Sequence, residues 1–293
     1  MKNEVNNSGV NKSNINWFPG HMQKTKRLIK EKLDLIDIVY EVIDARIPYS
    51  SKIKDIDELI KNKPRILIMT KKDLCDLDKT ILWKQYYENQ GYHVLIVDLN
   101  TNDDYKKIID LTNEVTKELK SNWESKGLIS KDIKALVVGI PNVGKSTLIN
   151  KLAKRKALNV GDKPGVTKAQ SMVRVSDDLI LYDTPGVLWP KFEDQEVGIK
   201  LAICSSIRDE ILDLEYLTLY ALDYLVKNYK DLLEKRYEIN IESNDPNEIL
   251  DLICVKKGCL LKGGLPDRLR ASKMIINDIR NVRIGAISFE KPE

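Results

Sequence analysis

Residues 134–147, KALVVGIPNVGKST, decide the fold class of this chain. The apolar run at their start predicts a buried strand, and the residues after Lys145 predict a helix. The loop between them matches the pattern GxxxxGK[ST], in which glycines let backbone N–H groups surround a phosphate at a helix amino terminus. The sequence therefore predicts an α/β fold with a P-loop that binds a nucleoside triphosphate.

The P-loop also supplies a cation and a hydroxyl group. Lys145 has the length to reach the β- and γ-phosphates, and the Ser146 hydroxyl can ligate magnesium. The nucleotide contacts predicted for this loop come from its backbone and its side chains, and they are Asn142, Val143, Gly144, Lys145, Ser146 and Thr147. We therefore expect the ligand to be a nucleotide with bound magnesium.

A second phosphate motif follows after one further helix and two strands, where the strand LILY runs into DTPG at residues 183–186. Asp183 is placed to hold the magnesium shell through water, and the Gly186 amide can bond the γ-phosphate. Thr167, in KPGVTKAQ, is predicted to complete magnesium coordination in the triphosphate state. A surface loop with an incidental threonine is the alternative interpretation of that segment.

The element that should identify the base stands before the P-loop rather than after it. The β-run RILIMT at residues 65–70 leads into TKKD, and Asp73 can accept hydrogen bonds from the N1–H and 2-amino groups of guanine, a pair that adenine lacks. Lys71 can lie along the base plane with its stem packed on the ring, and Thr70 is predicted to contact the nucleotide. This order predicts a circularly permuted GTPase, because domain termini commonly lie close enough to be joined.

The pattern of apolar and polar residues divides the chain into three parts. Residues 1–13 predict a flexible tail, and residues 14–195 predict a GTPase domain with a mainly parallel sheet and helices on both faces. Residues 196–293 predict a small all-helical domain. The predicted strands are Ile38–Asp44, Arg65–Thr70, His93–Asp98, Lys134–Gly139, Met172–Ser176 and Leu179–Tyr182. The predicted helices are Gln23–Leu35, Lys79–Asn89, Tyr105–Ser121, Lys145–Lys154, Glu196–Ser206, Leu214–Tyr229 and Leu265–Ile279.

Composition argues against a secreted or membrane protein. The net charge is +4, and the four cysteines are scattered without a CxxC pair, which fits free thiols in a reducing cytoplasm. No apolar run approaches the roughly 18 residues of a membrane span. The polar amino end lacks the apolar stretch of a signal peptide. We therefore expect a cytoplasmic monomer with no membrane partner.

Several motifs together resemble a known family. They are NWFPGHM at residues 16–22, DARIP from Asp44, TKKD, GIPNVGKSTLIN, PGVT, DTPGVLWP, KKGCLLKGG from Lys256 and NDIR ending at Arg280. With them, nearly the whole chain after residue 13 resembles the circularly permuted GTPases of bacterial ribosome assembly, of the YlqF/RbgA type. The resemblance implies GTP hydrolysis stimulated by the large ribosomal subunit or its precursor. It also implies that the helical domain, residues 196–293, binds RNA or the ribosome.

The resemblance also suggests which residue orients the water molecule that attacks GTP. The residue after the glycine of DTPG is Val187, whose aliphatic side chain cannot orient water as a glutamine does in many GTPases. The family implies His21 for this role, and a neutral imidazole can accept a proton from water; a contact with the ribosome is the alternative. Asn142 resembles the asparagine of GTPases that bind potassium beside the phosphates, and the alternative is an asparagine that only stabilises the loop.

Two regions depart from the family pattern. Thr70 stands where the family usually has asparagine, and a hydroxyl makes only one of the two contacts of an amide, so a lower guanine affinity is expected. The family usually shows Asn-Ser in the loop that touches the base from behind, whereas this chain reads VDLNTN at residues 97–102. The base contact of that loop is transferred to Asp98 and Leu99.

Basic residues exceed acidic ones between positions 256 and 283. This excess predicts contact with an RNA backbone such as that of rRNA. A solvated helical face is the alternative.

The leading function is an assembly factor of the large (50S) ribosomal subunit that hydrolyses GTP to GDP and phosphate. A stand-alone ATPase or metabolic GTPase would need a substrate pocket in the second domain, where the sequence shows no Cys/His cluster and no acidic catalytic pair. A regulatory GTPase module with another RNA or protein partner and low turnover is the other alternative.

Overall fold

The computed structural model describes residues 27, 29–53, 56–60, 63–101, 103–127, 131–154, 172–176, 178–184, 194–207 and 213–292. The predicted tail, His21, Thr167, Gly186 and Val187 lie outside these ranges. The chain divides into two compact units, one within residues 18–190 together with the chain end from Glu290, and the other within residues 191–289. The domain boundary at 195 stays a prediction.

The first unit contains a mixed sheet. Its strands, numbered along the chain, are β1 (Ile38–Asp44), β2 (Arg65–Thr70), β3 (His93–Ile96), β4 (Ile133–Val138), β5 (Met172–Ser176) and β6 (Leu179–Asp183). They lie in the order β3-β2-β1-β4-β6-β5, and every neighbouring pair is parallel except the antiparallel β5 and β6. The predicted strands are thus confirmed to within two residues at their ends.

The strand order brings the predicted motifs to one edge. Parallel strands place their carboxyl ends together, so the ends of β1, β2, β4 and β6 meet at the same edge of the sheet. Asp44 pairs in register with Thr70, and Val137 pairs with Asp183. β4 leads into the P-loop and lies beside both β1 and β6, so this edge is the place where a nucleotide site can assemble.

The helices of the first unit connect these strands. They are α1 (Ile56–Ile60), α2 (Leu77–Asn89), α3 (Asp103–Val115), α4 (Lys117–Ser125) and α5 (Lys145–Lys154), and a helical stretch at residues 29–35 precedes β1. The single helix predicted at Tyr105–Ser121 is wrong, because the chain breaks at Thr116. The Thr116 hydroxyl bonds the Thr112 carbonyl at 2.7 Å, and the Thr112 hydroxyl bonds the Ile108 carbonyl at 2.6 Å. Such bonds from Thr to the preceding turn bend a helix.

The second unit is helical, as predicted. Its helices are α6 (Gln195–Ile203), α7 (Leu214–Tyr237), α8 (Pro246–Lys256) and α9 (Arg268–Arg280). The prediction ended α7 at Tyr229, where the backbone leaves helical geometry at φ −147° and ψ 36° before the helix resumes. The prediction missed α8, although Asp245 caps it and Pro246 occupies its first turn, both of which are helix-start signals.

A buried carboxylate organises the core of this helical unit. Asp278 on α9 is completely buried. It accepts hydrogen bonds from Arg236 Nε at 2.9 Å and from the Tyr237 hydroxyl at 3.2 Å, while Arg283 Nη1 lies 3.3 Å away. Because a buried charge is tolerated only when it is paired, these contacts fix α9 against the end of α7.

The end of the chain belongs to the sheet-containing unit. The Glu290 carboxylate is buried and accepts the backbone N–H groups of Tyr49 at 2.7 Å and Ser50 at 3.1 Å, together with the Ser50 hydroxyl. These residues lie in the loop after β1. The chain end thus holds the loop that follows DARIP, a contact between residues 240 positions apart that no local pattern predicts.

Candidate nucleotide-binding site

The P-loop has the strand–loop–helix geometry that the sequence predicts, with β4 before it and α5 after it. A side chain at Gly139 would place its Cβ 2.5 Å from the Val42 carbonyl oxygen, so this position accepts only glycine. Gly144 has φ +99° and Asn142 has φ +60°. These left-handed positions turn the chain around the space where a phosphate would bind.

Lys145 lies inside this loop. Its side chain is nearly buried, and its Nζ donates a hydrogen bond to the Ile140 carbonyl at 2.7 Å. Burial lowers the pKa of Lys145 to about 8, while the charge of Asp183 opposes that shift. The amine therefore stays largely protonated at neutral pH and carries a positive charge to the phosphate position.

Asp183, at the end of β6, is suited to a cation. Burial raises the pKa of its carboxyl group, against the effect of Lys145. Its Oδ1 is buried and has no hydrogen-bond partner among the described residues. An unpaired carboxylate oxygen costs free energy unless an ion or water satisfies it, so this oxygen fits the predicted magnesium shell. Ser146 is exposed in the first turn of α5, on the same loop as Lys145.

Thr184 joins the two phosphate motifs. Its hydroxyl donates to the Val137 carbonyl in β4 at 2.6 Å, and the residue is buried. The start of DTPG is thereby fixed to the strand that carries the P-loop. Thr167 and Gly186, the other predicted members of this part of the site, lie outside the described residues.

The segment that begins TKKD contacts the P-loop directly. The Thr70 side chain is completely buried, and its hydroxyl is shared between the carbonyls of Val143 in the P-loop and of Ile43, the latter at 3.0 Å. The hydroxyl thus binds the protein backbone here rather than facing a ligand. Asp73 is exposed in a short 3₁₀ turn, Lys72–Leu74, where a base can approach it.

The loop after β3 closes the same edge. Leu99 lies 3.4 Å from the position of a Cβ built on Gly144, so it packs beside the P-loop. The Asp98 backbone N–H donates to Asp104 at 2.8 Å, and the Asp98 carboxylate accepts the Asn100 N–H at 2.8 Å. These bonds hold the loop in place, and the base contacts of Asp98 and Leu99 stay predictions.

Two family models match the chain. One described as 50S ribosome-binding GTPase matches residues 134–255, and one described as RsgA GTPase matches residues 57–193. Ribosome biogenesis GTPase A of Bacillus licheniformis is 46% identical over 95% of this chain and 99% of its own length. The Bacillus pumilus protein of the same name is 44% identical over the same shares. The chain belongs to the ribosome biogenesis GTPase A family.

Solved structures agree with this assignment. The GNP-bound crystal structure of YlqF from Thermotoga maritima matches with a TM-score of 0.61 at 26% identity, covering 92% of this chain and 99% of the other. A GDP-bound YlqF structure matches with a TM-score of 0.65, covering 91% and 99%. Like its family, the chain is a GTPase that binds GTP and GDP. Its sheet is that of a circularly permuted GTPase, since β2, the strand that leads into TKKD, precedes the P-loop strand β4 along the chain.

The sequence analysis missed one charged cluster in this member of the ribosome biogenesis GTPase A family. Asp44, at the end of β1, binds Arg46 and Lys71 and is completely buried. In the sequence, DARIP contributes only to the family resemblance. A signal was present, because a carboxylate at the carboxyl end of a central strand faces the edge where the other motifs meet.

Proposed function

We propose that this chain is a magnesium-dependent GTPase whose GTP state docks on a precursor of the large ribosomal subunit and whose hydrolysis of GTP releases it. The observation that carries this proposal is the joining of the base-reading segment to the P-loop through Thr70 and Val143. One rigid edge then recognises guanine and phosphate together. The family membership of the chain supports the ribosomal partner.

Some of the residues proposed for the magnesium shell and the hydrolytic water lie within the described ranges, and others lie outside them. Asp183 and Ser146 are the described ligands in our proposal, with Thr167 completing the shell in the triphosphate state. We assign the water-orienting role to His21, because Val187 has no polar group. The Gly186 amide would report the presence of the γ-phosphate.

The helical unit is the proposed contact with rRNA. Some of its basic residues are already engaged inside the unit: Arg268 pairs with Asp251, and Arg280 bonds the Ala202 and Ile203 carbonyls. The exposed basic side chains between positions 256 and 283 include Lys256, Lys262, Arg270 and Lys273. The footprint on an RNA backbone would therefore be smaller than the sequence count implies.

We further propose that the protein acts as a monomer in the cytoplasm. No helix of the described ranges combines the length and apolarity that a membrane crossing requires. All four cysteines are buried thiols that lie outside any disulfide bond.

Co-sedimentation tests the docking part of this proposal. The protein, loaded with a non-hydrolysable GTP analogue, should pellet with large-subunit precursors, and the GDP-loaded protein should stay in the supernatant. Equal pelleting in both states, or none in either, would favour the regulatory module with another partner. Charge reversal at Lys262, Arg270 and Lys273 provides a variant whose nucleotide binding should be intact.

Asp73→Asn should lower the affinity for GTP by roughly tenfold or more and shift preference toward xanthosine triphosphate. The variant loses a charge-assisted hydrogen bond to guanine, which contributes about 1.5–3 kcal/mol. The measurement is a fluorescent-nucleotide titration with competing GTP and xanthosine triphosphate. Asp78→Asn, an exposed aspartate in the first turn of α2, is the matched control. An unchanged GTP affinity for Asp73→Asn would remove TKKD from base recognition.

Replacing potassium with sodium at equal ionic strength should slow GTP hydrolysis. Asn142 would hold the cation beside the phosphates, where its charge serves as an arginine finger does in other GTPases. Asn142→Gly keeps the left-handed backbone at φ +60° and should abolish the difference between the two salts. Equal rates of the unsubstituted protein in potassium and sodium would exclude the cation from the mechanism.

A further inference from the structure

A buried carboxylate connects DARIP to the base-reading segment. Asp44 ends β1, the strand between β2 and β4, and its side chain is completely buried. Arg46 donates its backbone N–H and its Nε to Asp44 Oδ1, each at 3.0 Å, and its Nη2 to Oδ2 at 2.7 Å. The Nζ of Lys71 donates to the same Oδ2 at 2.8 Å. One carboxylate thus holds two cations that lie on different loops.

The contacts of the cluster keep the Asp44 carboxylate ionised and fix its position. Burial alone would raise the pKa of Asp44, but Arg46 and Lys71 hold it well below its usual range. Arg46 is itself almost buried and presents its planar fork to both carboxylate oxygens, a geometry that fixes the pair. The Asp44 backbone N–H donates to the Ser51 hydroxyl at 2.9 Å, which anchors the same residue from the other side.

Lys71 is the member of the cluster that belongs to TKKD. It follows Thr70, whose hydroxyl binds the P-loop, and it precedes the turn that carries Asp73. Its backbone adopts the left-handed conformation, with φ +62°, which a lysine adopts only when its surroundings favour it. With its amine held by Asp44, the aliphatic stem has lost most of its rotamer freedom before any nucleotide arrives.

We infer that Asp44 and Arg46 are positioning residues for guanine recognition, which hold the Lys71 stem as a preformed platform for the base. This inference rests on the proposed role of TKKD. Preorganising a binding group raises affinity because its ordering cost is met in advance. The cluster acts on the base half of the site alone, since the P-loop holds the phosphates through other residues.

A double-mutant cycle tests this inference. Binding of a fluorescent GDP analogue is measured for the unsubstituted protein, Asp44→Asn, Lys71→Met and the double variant. We expect each single variant to lose roughly tenfold in affinity and the double variant to lose little more than either one, because both remove the same interaction. Competition by inorganic tripolyphosphate, which lacks a base, should be unchanged in all four proteins.

Matched controls separate positioning from a general loss of structure. Asp132→Asn breaks a two-bond ion pair with Arg174 elsewhere in the same unit and should leave GDP affinity unchanged. Additive losses in the double variant, or an Asp44→Asn protein that binds GDP normally, would overturn the inference. A parallel loss of tripolyphosphate binding in the Lys71→Met protein would do the same, since the effect of Lys71 would then extend beyond the base half of the site.

A folding defect in Asp44→Asn leaves the idea testable at Lys71, whose side chain is partly exposed. Lys71→Arg places a guanidinium within reach of Asp44 and should restore GDP affinity to within about threefold, whereas Lys71→Met should not. Equal binding by Lys71→Met and the unsubstituted protein would refute the positioning role. Failure of the base-reading role itself shows differently, as an Asp73→Asn protein with unchanged GTP affinity.

Discussion

Replacing Lys145 with methionine is expected to lower the affinity for GTP by at least about a hundredfold. The amine is nearly buried inside the P-loop and protonated at neutral pH, so it meets the phosphates with little competing water. Two charge-assisted hydrogen bonds at about 1.5–3 kcal/mol each correspond to roughly 10²–10⁴ in affinity. Methionine retains most of the side-chain volume, so the loop should keep its packing. A fluorescent-nucleotide titration measures the loss.

Lys151→Met is the matched control for this variant. Lys151 lies on the same helix, α5, but its side chain is exposed, so the same chemical change removes no phosphate contact. GTP affinity should be unchanged in this control. A Lys145→Met protein that binds GTP as tightly as its control would show that the loop does not hold a triphosphate in the predicted way.

The sheet and the phosphate motifs could be predicted from the sequence because their signals are local. The apolar runs at β1, β2 and β4 mark buried strands, and the glycines of the P-loop mark backbone positions that other residues cannot occupy. Each of these features depends on residues within one short segment.

The roles of Thr70 and Asp44 could not be predicted in this way. Whether a threonine hydroxyl faces a base or a backbone carbonyl depends on how closely Val143 approaches it, and that distance is set by the packing of β2 against its neighbours through β1. The cations that bind Asp44 come from two loops, one of them 27 positions away. Such contacts are tertiary, so a local sequence pattern can place Asp44 at this edge of the sheet but cannot identify the side chains that bind it.

Thr70 therefore bears on the expected loss of guanine affinity. The sequence comparison with the family predicts weaker binding, because a hydroxyl replaces an amide. The structure offers a compensation within the same residue, since the hydroxyl connects the TKKD segment to the P-loop. Ordering those two segments before the nucleotide binds lowers the entropic cost of binding. The net affinity depends on both effects.

His21→Ala should lower turnover stimulated by the large subunit by about 10²–10⁴, while GTP binding and docking stay normal. A group that orients water or accepts its proton acts in the hydrolytic step alone, and such groups contribute a factor of that size. The variant should then remain bound to the large-subunit precursor, because release depends on the GTP hydrolysis that the variant performs slowly. Turnover and co-sedimentation measured on the same preparation test both parts.

His93→Ala is the matched control, because the chain has only these two histidines and His93 is exposed at the start of β3. It should hydrolyse GTP and dock as the unsubstituted protein does. A docking-only role for His21 predicts a different pattern, in which subunit binding is lost and basal hydrolysis is unaffected. Normal stimulated turnover together with normal docking in His21→Ala would exclude both roles, and the water would then have to be oriented by the subunit itself.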